Sequence, residues 1–192
     1  MFKRSLLVLA LGLISASAFA KAVPYDIDAN HTQINFSYRH FGFSDITDRF
    51  MQVSGVFNFD PADPTKSSIE VTIPMAGLST GVPKLDEHLK SPDFFDAEKV
   101  PAATFKSSKV EAVGANQLKV SGDLTLHGVT KTVVLDVVVN KIGEHPMTKV
   151  PSAGFDANVI LKRSDFGLGN YVPAVSDEVK LQITMEAHLA KP

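Results

Sequence analysis

The residues that could do chemistry in this chain are few. It has six histidines, no cysteine and no tryptophan. Asp28 and His31 are three residues apart, and Ser44 follows a little later. An acid, a base and a hydroxyl are the parts of a hydrolase. Their spacing is loose, and no Gly-x-Ser-x-Gly elbow occurs. A turn fixed by an Asp28–His31 hydrogen bond is the simpler reading. Asp86, Glu87 and His88 are adjacent. Successive side chains of a helix diverge by about 100°, which suits capping better than chelation of one ion. Arg39 and His40 end an alternating apolar run, where they could bind the polar head of an amphiphile by charge-assisted hydrogen bonds. Arg163 and Asp165 are read as residues of the same region or as an ion pair. His127, before Gly128, is read as a turn residue; His145 and His188 are read as solvated.

Composition narrows the classes further. Without cysteine there is no disulfide, thiolate metal site or cysteine nucleophile. No glycine-rich nucleotide loop or haem motif appears, so no cofactor is called for. The formal charge is −2 and the lysines are scattered, which removes the basic stripe that nucleic-acid binding needs.

The chain begins with Lys3 and Arg4, an apolar run from Leu6 to Ile14, and Ala18-Phe19-Ala20. This predicts a cleavable signal peptide over 1–20 with the cut after Ala20, one mature domain over 21–192, and a periplasmic location. The apolar run is shorter than the roughly 20 residues of a membrane-spanning helix. No second long apolar run exists, so no stable membrane insertion is expected.

What would position any site is a set of strands. Ile34, Phe36 and Tyr38 share one face of an alternating run, and Val53, Gly55, Phe57 and Phe59 share the next. Ile69, Val71, Ile73 and Met75 form another. A weaker run covers Ala103 to Val110. Leu118 to Leu126, Val133 to Val139, Phe155 to Leu161 and Val179 to Ala187 continue the period of two. Eight alternating runs predict eight antiparallel strands, each with one buried and one wet face. They can close as a barrel or pack as a sandwich. Between Ser79 and Pro101 the period breaks. Pro83, Leu85 and Leu89 suggest a short helix, Ser91-Pro92-Asp93 a second helical turn, and Phe94 and Phe95 a cover for one end of a barrel.

The inward faces are almost free of ionisable groups. Such a lining recognises only an apolar guest, and a ten-residue strand rises about 33 Å, long enough for an extended lipid tail. Pattern alone leaves open whether the interior is hollow or filled, and a filled barrel would act through its outer surface. For the hollow case the expected ligand-binding residues are Ile34, Phe36, Tyr38, Arg39, His40 and Val53. Phe57, Ile73, Phe94, Phe95, Leu124 and Leu135 continue the set, with Phe155, Val159, Leu181 and Ile183.

Five ordered motifs resemble the YceI-like family of periplasmic polyisoprenoid- or lipid-binding proteins. They are Tyr25-Asp26-Ile27-Asp28 with His31 and Phe36; Arg39 to Ser44; Asp86 to Asp96 with Pro101 and Thr104-Phe105; Gly122 to Lys131; and Leu161 to Gly167. Lys90 departs from the pattern, where arginine is expected. The resemblance implies an all-β fold: an eight-stranded antiparallel lipocalin-like barrel with one short helical segment near 83–97. It implies a long-chain amphiphilic ligand, such as an isoprenoid quinone, a polyprenyl phosphate or a fatty amide, and it allows a homodimer. A non-enzymatic role in binding, transport or storage follows, with the Asp28–His31–Ser44 hydrolase as the alternative.

Overall fold

The computed structural model describes residues 21–191. The expected signal peptide over 1–20 lies outside the described residues. Eleven strand segments run in chain order: β1 (Val23–Ile27), β2 (Gln33–His40), β3 (Ser44–Phe50), β4 (Ser54–Phe59), β5 (Ser68–Pro74), β6 (Leu78–Ser79), β7 (Ala102–Ala112), β8 (Gln117–Leu126), β9 (Val129–Glu144), β10 (Pro151–Lys162) and β11 (Glu178–Leu189). One α-helix, α1 (Pro83–Lys90), interrupts them. All pairings are antiparallel, and β1 pairs with β11 to close the sheet on itself.

Eleven segments fill eight positions around the barrel. β11 is flanked on one side by both β1 and β2: Ile27 lies opposite Ala187, and Ile34 lies opposite Ile183. β3 and β4 share the next position, since β3 pairs with β2 and β4 with β1. β5 and β6 share the third, separated by a 3₁₀ turn at Met75–Gly77. The eight-stranded reading therefore holds, with three of the strands broken. The phase of the inward residues shifts at each break, from Ile27 to Ile34, from Phe50 to Val53 and from Met75 to Leu78, so the paired segments do not read as single runs. Two of the breaks touch: Met51 N donates to the Gly77 carbonyl at 3.0 Å. A Cβ on Gly77 would sit 2.2 Å from the Met51 carbonyl oxygen, so only glycine permits that approach.

The remaining five strands are unbroken. Their tightest hairpin joins β8 to β9 through His127 and Gly128, with φ of 51° and 77°. Positive φ at both central residues is the two-residue turn whose twist matches the strands. Residues 91–100 form consecutive turns and not the second helical turn expected there. Ser91 does act locally, with its hydroxyl donating to the His88 carbonyl at 2.7 Å. Gly55, expected to point inward, is exposed.

Candidate functional site

The even-numbered face of β2 and the odd-numbered faces of β5 and β9 to β11 point inward. They enclose an apolar cavity of about 520 Å³. That volume lies inside the range of roughly 300–1,000 Å³ typical of small-molecule pockets. Val133, Leu135, Val159, Leu161, Leu181 and Ile183 all face it and are only half-buried. Inward side chains of a filled barrel would be fully buried. Their remaining accessible surface is the wall of an empty space.

One end of the barrel is shut. Tyr25, Phe57, Phe59 and Phe155 pack ring against ring, with centroids 5.3–6.2 Å apart. The alanines Ala153, Ala157 and Ala187 on β10 and β11 are buried in the same core and take up little room beside them. A smaller cavity of about 110 Å³ lies in this region, and Ile69, Leu135, Ile183 and Met185 border both spaces.

The other end carries the mouth. α1 and the following turns bring Leu85, Leu89, Phe94 and Phe95 to it. Phe95 meets Phe36 and Phe50 edge-on, and Phe94 stacks on Tyr171 at 6.1 Å. The loop after β10 is tied down by Arg163. Its guanidinium donates to the carbonyls of Ser176 (2.8 Å), Asn170 (2.7 Å), Val175 (2.9 Å) and Leu168. Arg163 thus organises the mouth loop through backbone acceptors and not through an ion pair with Asp165. The hairpin turn joins in, with His127 Nδ1 3.1 Å from the Phe166 carbonyl.

One polar pair sits on the inner wall. Tyr38 donates to the buried Asp48 carboxylate at 3.2 Å. Burial, with Asp48 beside it, pushes the Tyr38 hydroxyl up to about 12, so it remains a donor. Burial also raises the Asp48 carboxyl above its ordinary value. Asp86, at the start of α1, accepts from Thr80 N at 2.7 Å, and the hydrogen bonds from Thr80 hold its carboxyl below the usual range. Lys90 contacts the Ala76 carbonyl at 3.5 Å.

Of the sixteen expected ligand-binding residues, thirteen line the larger cavity. Phe57 and Phe155 do not; they belong to the shut end and border the smaller cavity. Arg39 does not either. It occupies the outward phase of β2, stays half-exposed, and pairs with Asp45 at 3.4 Å, while its neighbour His40 faces the cavity. Thr32, Phe105, Phe166 and Leu168 line the cavity outside the expected set, and Arg163, read from the sequence as a mouth residue or an ion-pair partner, lines it too. Two of these carry a signal in the pattern, since Thr32 lies one inward step before Ile34 and Phe105 one inward step after Ala103.

The proposed hydrolase set does not assemble. Asp28 and His31 do meet, with His31 Nδ1 2.8 Å from Asp28 Oδ2. Ser44 pairs with His40 at the far end of β2, roughly 20 Å away by strand rise. The hydrogen bond from His31 lowers the Asp28 carboxyl to about 2, and the same contact raises His31. His188, expected to be solvated, joins this outer cluster: Nε2 lies 3.3 Å from Asp28 and Nδ1 lies 2.7 Å from Ser152 Oγ. The Ser152 hydroxyl donates to the Val150 carbonyl at 2.9 Å. It therefore offers the imidazole a lone pair and not a proton, the wrong polarity for nucleophile activation. Glu186 stands close to Asp28 and His31, and the potential ligand atoms of the three lie within 4.8 Å of one another. Among the described residues, no helix is long and apolar enough to cross a membrane.

Comparison with known proteins agrees with this geometry. A solved structure of BcnA from Burkholderia cenocepacia superposes with a TM-score of 0.76 at 28% identity, over 84% of this chain and 99% of that one. The Campylobacter jejuni YCEI protein matches at 0.71 with 32% identity, over 78% and 88%. A polyisoprenoid-binding domain from Saccharophagus degradans shares the fold at 0.68 with 18% identity, over 88% and 99%. A UPF0312 protein of Pseudomonas syringae pv. tomato is 40% identical over 190 residues, 97% of each chain. The YceI-like domain matches residues 25–187, and the chain belongs to that family.

Proposed function

We propose that this protein binds one long-chain amphiphilic lipid, of the isoprenoid quinone, polyprenyl phosphate or fatty amide class, inside its barrel. The observation that carries this reading is the hollow apolar half of the interior, where inward aliphatic side chains remain accessible. Each methylene placed there gains about 0.8 kcal/mol, so a long tail binds tightly without a charged contact. The polyisoprenoid-binding relative from Saccharophagus degradans supports the same ligand class. The signal-like N-terminus supports export to the periplasm, where the protein would transport, store or protect the lipid as a non-enzymatic carrier. No cofactor is required, and a homodimer is compatible with the role.

Native mass spectrometry of the protein purified from its own periplasm tests this. A stoichiometric adduct of several hundred daltons, identified after organic extraction, is the expected result. A clean protein mass, unchanged after incubation with quinones and polyprenols, would remove the reading. Leu124 faces the cavity from β8, and Leu124→Asp is expected to abolish loading by placing a charge in the apolar wall.

A further inference from the structure

The outer wall carries its own cluster of groups that could do chemistry, at the seam where the barrel closes. Glu186 and His188 stand two residues apart on β11, on the face opposite to Met185 and Ala187. The link between β1 and β2 lies beside them, held by Asp28 N donating to the Glu186 carbonyl at 2.9 Å. Asp28 and His31 come from that link. Potential ligand atoms of Asp28, His31 and Glu186 lie within 4.8 Å of one another, and His188 Nε2 reaches Asp28 Oδ2 at 3.3 Å. Two imidazoles and two carboxylates from distant parts of the chain therefore converge.

The surrounding hydrogen bonds give the cluster a polarity. Asn30 N donates to Asp28 Oδ1 at 2.9 Å, which leaves Oδ2 to face both imidazoles. The Ser152 hydroxyl spends its proton on the Val150 carbonyl, so His188 Nδ1 carries a hydrogen and donates to Ser152 Oγ at 2.7 Å. A neutral His188 then aims its Nε2 lone pair at a carboxylate oxygen. Two lone pairs face each other there, and a proton or a metal ion between them makes the contact favourable. A metal-binding histidine commonly donates its other ring N–H to a fixed acceptor in this way. The neighbouring His145 is built differently. Its Nδ1 accepts from Met147 N at 3.3 Å and Thr148 N at 3.2 Å, so its hydrogen sits on Nε2, and its ring only abuts that of His188 at 5.7 Å.

We propose that Asp28 Oδ2, His31 Nδ1, His188 Nε2 and the Glu186 carboxylate form a binding site for one divalent transition-metal ion of the zinc class. Bonds of about 2.0–2.1 Å in a tetrahedral site set the ligand atoms about 3.3 Å apart. His188 and Asp28 are at that spacing already, and the 2.8 Å contact of His31 has to open by about 0.5 Å. The His31 side chain is 63% exposed, which gives it room to shift and gives the ion a way in. Imidazole ligands select zinc or copper over calcium and magnesium, which take oxygen. Bound there, the ion ties the β1–β2 link to β11 across the closing seam. In the metal-free protein, protons on the imidazoles hold the same groups together.

Calorimetric titration of the EDTA-stripped protein with Zn²⁺ at neutral pH tests the site. One equivalent should bind, and the thermal unfolding midpoint should rise with Zn²⁺ concentration. Mg²⁺ and Ca²⁺ should do neither. His31→Ala, His188→Ala and Glu186→Gln should each weaken Zn²⁺ at least about tenfold, whereas His145→Ala should leave its affinity unchanged. Co²⁺ gives a readout on wild type that needs no variant to fold: the intense visible absorption of a tetrahedral ion is expected. A wild-type protein that binds no Zn²⁺ overturns the proposal, as does the weak absorption of octahedral Co²⁺. Any of the three ligand variants that binds Zn²⁺ as wild type does, or loss of binding in His145→Ala, also overturns this ligand set.

Discussion

Along β10, Phe155 and Ala157 are buried, whereas Val159 and Leu161, on the same face and a few residues further on, keep accessible surface. β9 repeats the contrast, with Val137 and Val139 buried and Val133 and Leu135 half-buried. β11 repeats it again, with Ala187 buried and Val179, Leu181 and Ile183 not. The same strands therefore build a packed floor and a hollow chamber. The difference lies in volume and not in polarity. On the floor, four rings fill the space beside small alanines; in the chamber, branched aliphatics line the β9–β11 wall and leave the centre empty. Stability is concentrated on one side and capacity for a guest on the other.

Truncation should separate the two halves most sharply. Phe59 is 1% exposed and packs against Tyr25, Phe57 and Phe155. Phe59→Ala should cost about 3–5 kcal/mol, as expected for a large ring removed from a packed core. Leu181→Ala should cost less than about 2 kcal/mol, because part of that side chain already faces empty space. Urea unfolding of the ligand-free protein measures both. Equal costs would mean that the chamber is packed in solution.

Enlargement should give the mirror image. Ala187→Trp, at a fully buried position that borders neither cavity, overpacks the floor and should destabilise by about 1–3 kcal/mol or more. Val159→Trp, on the neighbouring strand β10, places its ring in the chamber. It should leave the unfolding midpoint nearly unchanged and prevent lipid loading. A Val159→Trp protein that still loads lipid would show that the guest does not use this part of the wall.

The mouth should respond separately from both. Arg163→Gln removes most of the donors that hold the carbonyls of Leu168, Asn170, Val175 and Ser176. Amide exchange should accelerate at Leu168, Val172 and Val175, whose N–H groups bond within that loop. Exchange at Phe155 and Ala187 should not change. Faster exchange throughout would show that Arg163 supports the whole barrel.

These contrasts also show what alternation can report. It reads which face of a strand points inward, and Ile34, Phe36, Leu124 and Leu181 were placed correctly for that reason. It does not report depth: Phe57 and Val53 share one inward face, yet one closes the floor and the other borders the chamber. Whether a layer is filled depends on rings arriving from distant strands. Arg39 shares the outward phase of Asn35 and Ser37, so parity alone separates it from the cavity wall. The exposure of Phe41, Phe43 and Tyr171 was unreadable because loops carry no period. Thr32 shares the inward phase of Ile34, but a hydroxyl carries no sign of burial, and only the fold shows it sealed beside the chamber.

The smallest expected effect concerns the clasp on the outer wall. Asp28 holds His31 and His188 from the link between β1 and β2. Its carboxyl is lowered from 3.8 to about 2, so its contribution is complete above 3.8 and is lost as pH falls towards 2. His31 is raised above 6.5, so its contribution is complete below 6.5 and is lost as pH rises past that value. Between these limits both charges are present and the clasp is at full strength. Thermal unfolding of wild type should therefore show a plateau from about pH 4 to 6.5 that declines on both sides. Asp28→Asn removes the charge that shifts both groups, so the variant should lose the decline above pH 6.5 and soften the acid limb, which Asp63, Asp86 and Asp177 still supply, while lipid loading, which depends on the chamber, stays unchanged. A variant that keeps the wild-type pH profile would show that the clasp is made by neutral hydrogen bonds alone.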